Sequence, residues 1–123
     1  MDNLNANNKV GEMTIIVKIR ELYKQYYKYL ILFPKKDKYT IGARCENYIL
    51  ATLELLLAAG NAPKGDKLGL IRQASVKFDA LKFFIRVARE LNILDLNKYL
   101  VLQKQLQEIG LMLGGWQRSL ENK

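Results

Sequence analysis

The feature that most limits what this chain can become is a spacing. In four long segments apolar residues return every third or fourth position, and nowhere does a stretch alternate apolar and polar residues as a half-buried strand must. Turned by about 100° per residue, the segment from about Met13 to Phe33 places Ile15, Ile19, Leu22, Tyr23, Tyr26, Leu30 and Phe33 on one broad face. Arg20, Lys24 and Lys28 form a cationic column behind it. Pro34 ends this first helix, because it disfavours α conformation at Phe33 and has no N–H to donate. After the charged connection Lys35, Lys36, Asp37, Lys38, Thr40 is placed to cap a second helix from Ile41 to about Ala59.

That second helix has its core stripe at Ile41, Cys45, Tyr48, Thr52, Leu55, Leu56 and Ala59, but Leu50, Leu53 and Leu57 fall on a flank about 100° or more away. A helix apolar over so much of its circumference needs cover from two sides. Within one small bundle only one side is covered, so these three leucines are expected at a contact between subunits. The loop Gly60 to Asp66 follows, with Gly60 as stop signal and Asp66 as the expected cap of a third helix reaching to about Leu91. Leu70, Ala74, Phe78, Leu81, Ile85 and Ala88 give that helix its core face. Arg72, Ser75, Asp79, Lys82, Arg86 and Arg89 lie opposite, with Val76 and Phe83 towards the polar side. A fourth helix opens near Asp95 with Tyr99, Leu102, Leu106, Ile109 and Leu113 on one stripe; Gly114 and Gly115 either end it or admit a close neighbour. Four helices of similar length joined by short loops predict an all-α, up-down-up-down four-helix bundle over residues 13–120. Residues 1–12, with four asparagines and no apolar period, are expected to be a flexible N-terminal tail.

Composition narrows the chemistry. At 123 residues the chain suits a single domain. It contains no histidine, which removes the usual general base, the Ser-His and Cys-His nucleophiles and most zinc sites. Glu46, Glu54 and Glu108 are scattered rather than paired on one face, so no metal site, cofactor or catalytic residue is expected. The single cysteine, Cys45, lies on the core stripe and reads as an inert buried thiol. One cysteine suits a reducing compartment, and no run reaches the roughly 18 uninterrupted apolar residues of a membrane span. The N-terminal stretch lacks the basic start and apolar run of a signal peptide. A cytoplasmic, membrane-free protein is expected.

The surplus charge is the main clue to partners. Lys+Arg number 20 against 12 Asp+Glu, a formal net charge of +8. Between Lys18 and Arg44 stand eight cations (Lys18, Arg20, Lys24, Lys28, Lys35, Lys36, Lys38 and Arg44) and two acids, Glu21 and Asp37. Lys82, Arg86 and Arg89 make a second ridge. Such groups neutralise phosphates and release counterions, which drives sequence-independent binding to RNA and DNA. The bland alternative is a surface that only keeps the protein soluble. Most tyrosines fall on apolar faces, where packing explains them; Tyr27 and Tyr39 are the exceptions, free to stack on unpaired bases.

Several segments, in this order, resemble the Avd proteins. They are Tyr39-Thr-Ile-Gly-Ala-Arg44 followed by Glu46, Leu53-Glu-Leu-Leu56, the run Leu81 to Leu91, Tyr99, and Glu108-Ile-Gly-Leu-Met-Leu-Gly-Gly-Trp116. Avd proteins are the accessory variability determinants of diversity-generating retroelements and kin of the four-helix proteins encoded in intervening sequences of 23S ribosomal RNA genes. The resemblance spans about residues 13 to 120, and Ile109 to Trp116 is its most specific part. It implies a four-helix protomer in a ring-like homopentamer, non-catalytic itself, that binds the reverse transcriptase and template RNA and supports mutagenic copying into complementary DNA. Gly42, Gly110, Gly114 and Gly115 then read as places where helices approach closely. The second function class is a protein-protein interaction bundle of the intervening-sequence type with no retroelement role; a neighbouring reverse transcriptase gene separates the two.

Overall fold

The computed structural model describes the backbone of residues 2–122 and the side chains of residues 11–122. Four long helices carry it: α1 (Asp2–Leu30), α3 (Ala43–Asn61), α4 (Lys64–Glu90) and α5 (Leu96–Glu121). Between α1 and α3 lies a single turn, α2 (Lys35–Asp37), which runs straight into a π-helical segment, Lys38–Gly42. Each long helix packs on two others: α1 and α4 both lie against α3 and α5. Short connections reverse the chain each time, so the result is the expected up-down-up-down four-helix bundle.

The core is built from the expected stripes. Ile15, Ile19, Leu22 and Tyr26 come from α1, Cys45, Thr52, Leu56 and Ala59 from α3, Ala74, Phe78, Leu81, Ile85 and Ala88 from α4, and Leu102, Leu106, Ile109 and Leu113 from α5. Two further centres are Ile49 and Ile71, both fully buried. Their neighbours Tyr48 and Leu70, expected there, are half-buried at the edge of the core. One residue is about 100° of helix, so a stripe assigned one position early is rotated towards a seam.

Helix ends depart further from expectation. α1 starts at Asp2, not near Met13; the flexible tail expected over residues 1–12 falls mostly outside the residues whose side chains are described. At its other end α1 stops at Leu30. The Leu32 N–H donates to the Tyr29 carbonyl and the Phe33 N–H to the Leu30 carbonyl, a tightened turn that tucks Phe33 under Tyr26 with ring centroids 6.0 Å apart. Thr40 is not a cap: it sits inside the π-helical segment, and its hydroxyl donates back to the Lys36 carbonyl at 3.0 Å. Asp66 is not a cap either. Pro63, with φ −56°, already holds the conformation that opens a helix, and its carbonyl accepts from Asp66 N–H at 2.9 Å. Gly60 does not stop α3, which runs on to Asn61, and Gly114 and Gly115 lie inside α5.

Two ends match strong local chemistry. Asp95 caps α5, its Oδ1 accepting from Lys98 N–H at 2.8 Å. α4 closes in a Schellman motif: Asn92 adopts φ 60°, its N–H donates to the Arg89 carbonyl, and the Ile93 N–H donates to the Ala88 carbonyl at 2.9 Å.

Of the glycines read as close approaches, Gly42 alone is crowded within the protomer. A Cβ there would lie 2.6 Å from Leu30 Cδ1, 2.9 Å from the Asp37 carbonyl oxygen and 3.2 Å from Phe33 Cδ2. At Gly110 and Gly115 a methyl meets nothing tighter than ordinary contact, and at Gly114 it meets only the flexible tip of Arg118. Gly42→Ala is therefore expected to destabilise the bundle by about 1–3 kcal/mol, because overlap with a backbone carbonyl cannot be relieved by a rotamer change. Gly69→Ala, where a Cβ meets nothing within 4 Å on a helix interior, is expected to stabilise by about 0.5–1 kcal/mol. Urea unfolding of both variants beside the parent checks the pair.

Candidate nucleic-acid interface

The alternation of helix direction gathers charge at one end of the bundle. The C-terminal half-turns of α1 and α4 meet the start of α3 and of α5 there, as the contacts Tyr23 to Glu46, Tyr48 to Phe84 and Lys98 to the Tyr29 ring show. Residues 28–44 and 84–98 supply eight cations to this end (Lys28, Lys35, Lys36, Lys38, Arg44, Arg86, Arg89 and Lys98) against three acids, Asp37, Glu90 and Asp95. Among the described residues Lys28, Lys35, Lys36, Lys38, Arg44 and Arg86 take part in no ion pair. Lys38 is half-buried and the other five are exposed.

The two ridges expected on the first and third long helices differ from this end. On α1, Glu21 sits between Arg20 and Lys24, 3.7 Å from Arg20 Nε and 3.6 Å from Lys24 Nζ, so one carboxylate offsets part of that column. On α4, Lys82 pairs with Asp79 at 3.3 Å and lies over the Phe78 ring, 5.6 Å from its centroid. Lys82 and Arg86 line a groove towards α5 with Gln103, Gln107 and Leu111. Because α1 and α4 occupy opposite corners of the bundle, the ridges Arg20-Lys24-Lys28 and Lys82-Arg86 are not one surface.

Arg89 is committed to the fold. It is half-buried and its Nη1 donates to the Leu94 carbonyl at 3.2 Å, closing the turn between α4 and α5. Two other cations have structural roles: Lys67, which the sequence does not single out, and Lys18, which counts in the basic stretch. Lys67 Nζ donates to the Ala59 carbonyl at 2.7 Å and the Gly60 carbonyl at 3.3 Å, so a lysine from α4 satisfies the C-terminus of α3. Lys18 bridges α1 to α5 through Glu108 at 3.4 Å. Lys67 reaches back across the loop by seven and eight positions, and Lys18 meets a partner 90 positions away, so neither role shows in helical spacing.

Titratable groups elsewhere are structural. Glu46 accepts from the Tyr23 hydroxyl at 3.0 Å, and burial first, then this bond, raise the Tyr23 pKa. Burial pushes the Cys45 thiol up to about 12, which leaves it protonated and unreactive near neutral pH. Hydrogen bonds from Lys98 hold the Asp95 carboxyl below its usual range. The aromatic residues divide: Tyr48 stacks on Phe84 with centroids 5.8 Å apart, while Tyr27 and Tyr39 are exposed. Leu53 packs against the core, Leu50 is half-buried, and Leu57 is 43% exposed.

Fold and surface together define an antiparallel four-helix bundle with a basic end, and among the described residues no helix is long and apolar enough to cross a membrane. The family model described as bAvd-like matches residues 13–120, and the chain belongs to that family, which makes it an Avd-type accessory protein. A comparison with curated proteins finds no match.

The distinction between committed and available cations is measurable. Arg89→Ala is expected to cost about 1.5–3 kcal/mol of stability, because a charge-assisted hydrogen bond to a turn carbonyl is lost. Arg86→Ala, with no such partner, is expected to change stability by no more than about 0.5 kcal/mol. Chemical denaturation of the two variants, three residues apart on one helix, decides it.

Proposed function

We propose that this protein is the non-catalytic accessory factor of a diversity-generating retroelement, binding RNA and DNA together with the reverse transcriptase and assembling as a ring-like homopentamer in the cytoplasm. The observation that carries the reading is the basic end, where Lys28, Lys35, Lys36, Lys38, Arg44 and Arg86 stand without acidic partners among the described residues. Membership of the bAvd-like family supports the setting. Phosphate contacts from such lysines and arginines position a strand without reading its sequence. The α4 ridge, Lys82 and Arg86, lies towards the far side of the bundle from Arg20 and Lys24, which leaves separate faces for nucleic acid and for acidic patches of the polymerase.

Ring assembly draws on apolar surface that one protomer leaves uncovered. Leu57 on α3 is 43% exposed and Leu111 on α5 is 75% exposed, on helices that do not neighbour each other in the bundle. A cyclic ring closes through two different faces of each copy, which such an arrangement provides. Leu57 is the most open member of the flank, and Leu50 and Leu53, both half-buried, complete it, Leu53 also packing against the core.

Affinity for a labelled RNA is expected to fall steeply with salt, and neutralising Lys28, Lys35 and Lys36 to glutamine is expected to flatten the log-log slope by up to about 0.9 for each phosphate contact removed. A flat salt response in the parent overturns the nucleic-acid reading. Light scattering at micromolar concentration is expected to give a multiple of 14.2 kDa, five-fold for the pentamer, and Leu57→Glu is expected to lower it. A parent that remains a 14.2 kDa monomer overturns the ring.

A further inference from the structure

We propose that the groove between Tyr39 and Phe84, at the basic end of the bundle, is a stacking site for one unpaired base of a single-stranded nucleic acid, with Arg44 on the adjoining phosphate. The assignment rests on the nucleic-acid reading above and specifies where, and in what form, a strand is held.

The groove is lined by Tyr39, Ile41, Ala43, Arg44, Asn47 and Phe84 and has a volume of about 700 Å³. Its assembly depends on the π-helical segment Lys38–Gly42. In an uninterrupted α-helix residues five apart point about 140° away from each other, at 3.6 residues per turn. A π turn closes from i to i+5 and so brings such residues to one side, a device that recurs at functional sites. Tyr39 and Arg44 are five apart across this segment, and they line the same groove.

Each wall has the chemistry a base requires. Phe84 is held before any ligand arrives: Tyr48 stacks behind it at 5.8 Å with planes 21° apart, and Phe83 meets it edge-on at 5.6 Å. A ring fixed in advance loses little freedom on binding. Tyr39 is 78% exposed and makes no ring contact among the described residues, so its face is open for a second stacking contact. Asn47 is exposed and its amide, which bonds to no other described residue, offers both a donor and an acceptor to a base edge. The Arg44 guanidinium is exposed and unpaired, and its planar fork suits a phosphate. Aromatic faces interleaved with cations accept any base, because every base has a π face, but a paired base keeps its faces in the duplex stack. The groove therefore selects single strands, whereas the surrounding lysines attract any phosphate chain.

The test uses the full chain, a short labelled single strand carrying a fluorescent adenine analogue, and the same strand in a duplex, each titrated at several salt concentrations. Tyr39→Ala is expected to weaken single-strand binding about tenfold, leave duplex binding within about twofold and keep the salt slope, since the lost contact is stacking and not charge. Quenching of the adenine analogue is expected with the parent and with Tyr39→Phe, and to be lost in Tyr39→Ala. Circular dichroism verifies that each variant remains folded. Equal weakening on single strand and duplex overturns the stacking site, as does no weakening on either; both leave the broader nucleic-acid reading standing. A parent that binds neither probe overturns both. Loss of reverse-transcriptase capture by Tyr39→Ala with strand binding intact assigns the groove to a protein contact and overturns the proposal.

Discussion

The hydrogen bond from the Tyr26 hydroxyl to the Gly42 carbonyl, 2.8 Å long and wholly buried, fixes the corner on which the rest of the bundle depends. A π-helical segment meets an α-helix at Gly42, and a carbonyl turned into the core at such a junction costs about 1–3 kcal/mol if nothing bonds to it. Tyr26 supplies the donor, and burial raises its pKa above the ordinary tyrosine range, so the hydroxyl keeps its proton near neutral pH. The arrangement demands glycine at the junction, because Leu30 and the Asp37 carbonyl occupy the space a side chain needs. It also demands Phe33 beneath Tyr26, edge-on to its ring. With tyrosine, glycine and phenylalanine pulled inward, the intervening Lys35 and Lys36 and the following Tyr39 are left facing solvent.

The two ends of the bundle solve the same problem differently. At the far end α3 stops at Asn61, and its last carbonyls are met by Lys67 from α4, whose ammonium also lies 3.9 Å from Glu12 of α1. One lysine there joins three helices and has no charge to spare for a partner. At the near end carbonyls are satisfied by turn geometry, by Tyr26 and by Arg89, and Lys98 is paired with Asp95, while the other six cations stand in no ion pair among the described residues.

What could be read from the sequence follows the same division. The stripes were legible because burial repeats with the helical period, and Leu102, Leu106, Ile109 and Leu113 are all buried as spaced. Asp95 was legible because a side-chain cap is a local bond. Thr40 and Asp66 misled because proline outranks them: a carbonyl from Pro34 or Pro63 accepts the first turn's N–H groups, so each helix begins before the candidate cap is reached. The π turn left no signal in spacing, and the bond that holds its Gly42 carbonyl comes from Tyr26, 16 positions earlier. For the site, the excess of cations was plain, but which were free was not. Arg86 and Arg89 look alike in sequence, and only the Leu94 carbonyl separates them.

Pairing also decides where the positive field persists. Two unit charges about 4 Å apart attract by roughly 1 kcal/mol in water and several times that near a low-dielectric surface, and seen from beyond a Debye length of about 8 Å the pair is nearly neutral. Glu21 mutes Arg20 and Lys24 in this way, and Asp79 mutes Lys82. Lys28, Lys35, Lys36 and Arg44 have no such partner among the described residues, so the field that reaches out to an approaching polyanion comes from the corner built on Gly42 and not from the flanks of the helices. A long helix can lay its carboxylates one turn from its cations, and here it does. At the corner made of a proline, a buried phenylalanine and a π turn the exposed positions are Ile31, Leu32, Pro34, Lys35, Lys36, Tyr39, Thr40 and Arg44, of which three carry a cation and none an acid. The same constraint that closes the core at Tyr26 and Gly42 therefore places unneutralised charge where an exposed aromatic residue, Tyr39, also lies.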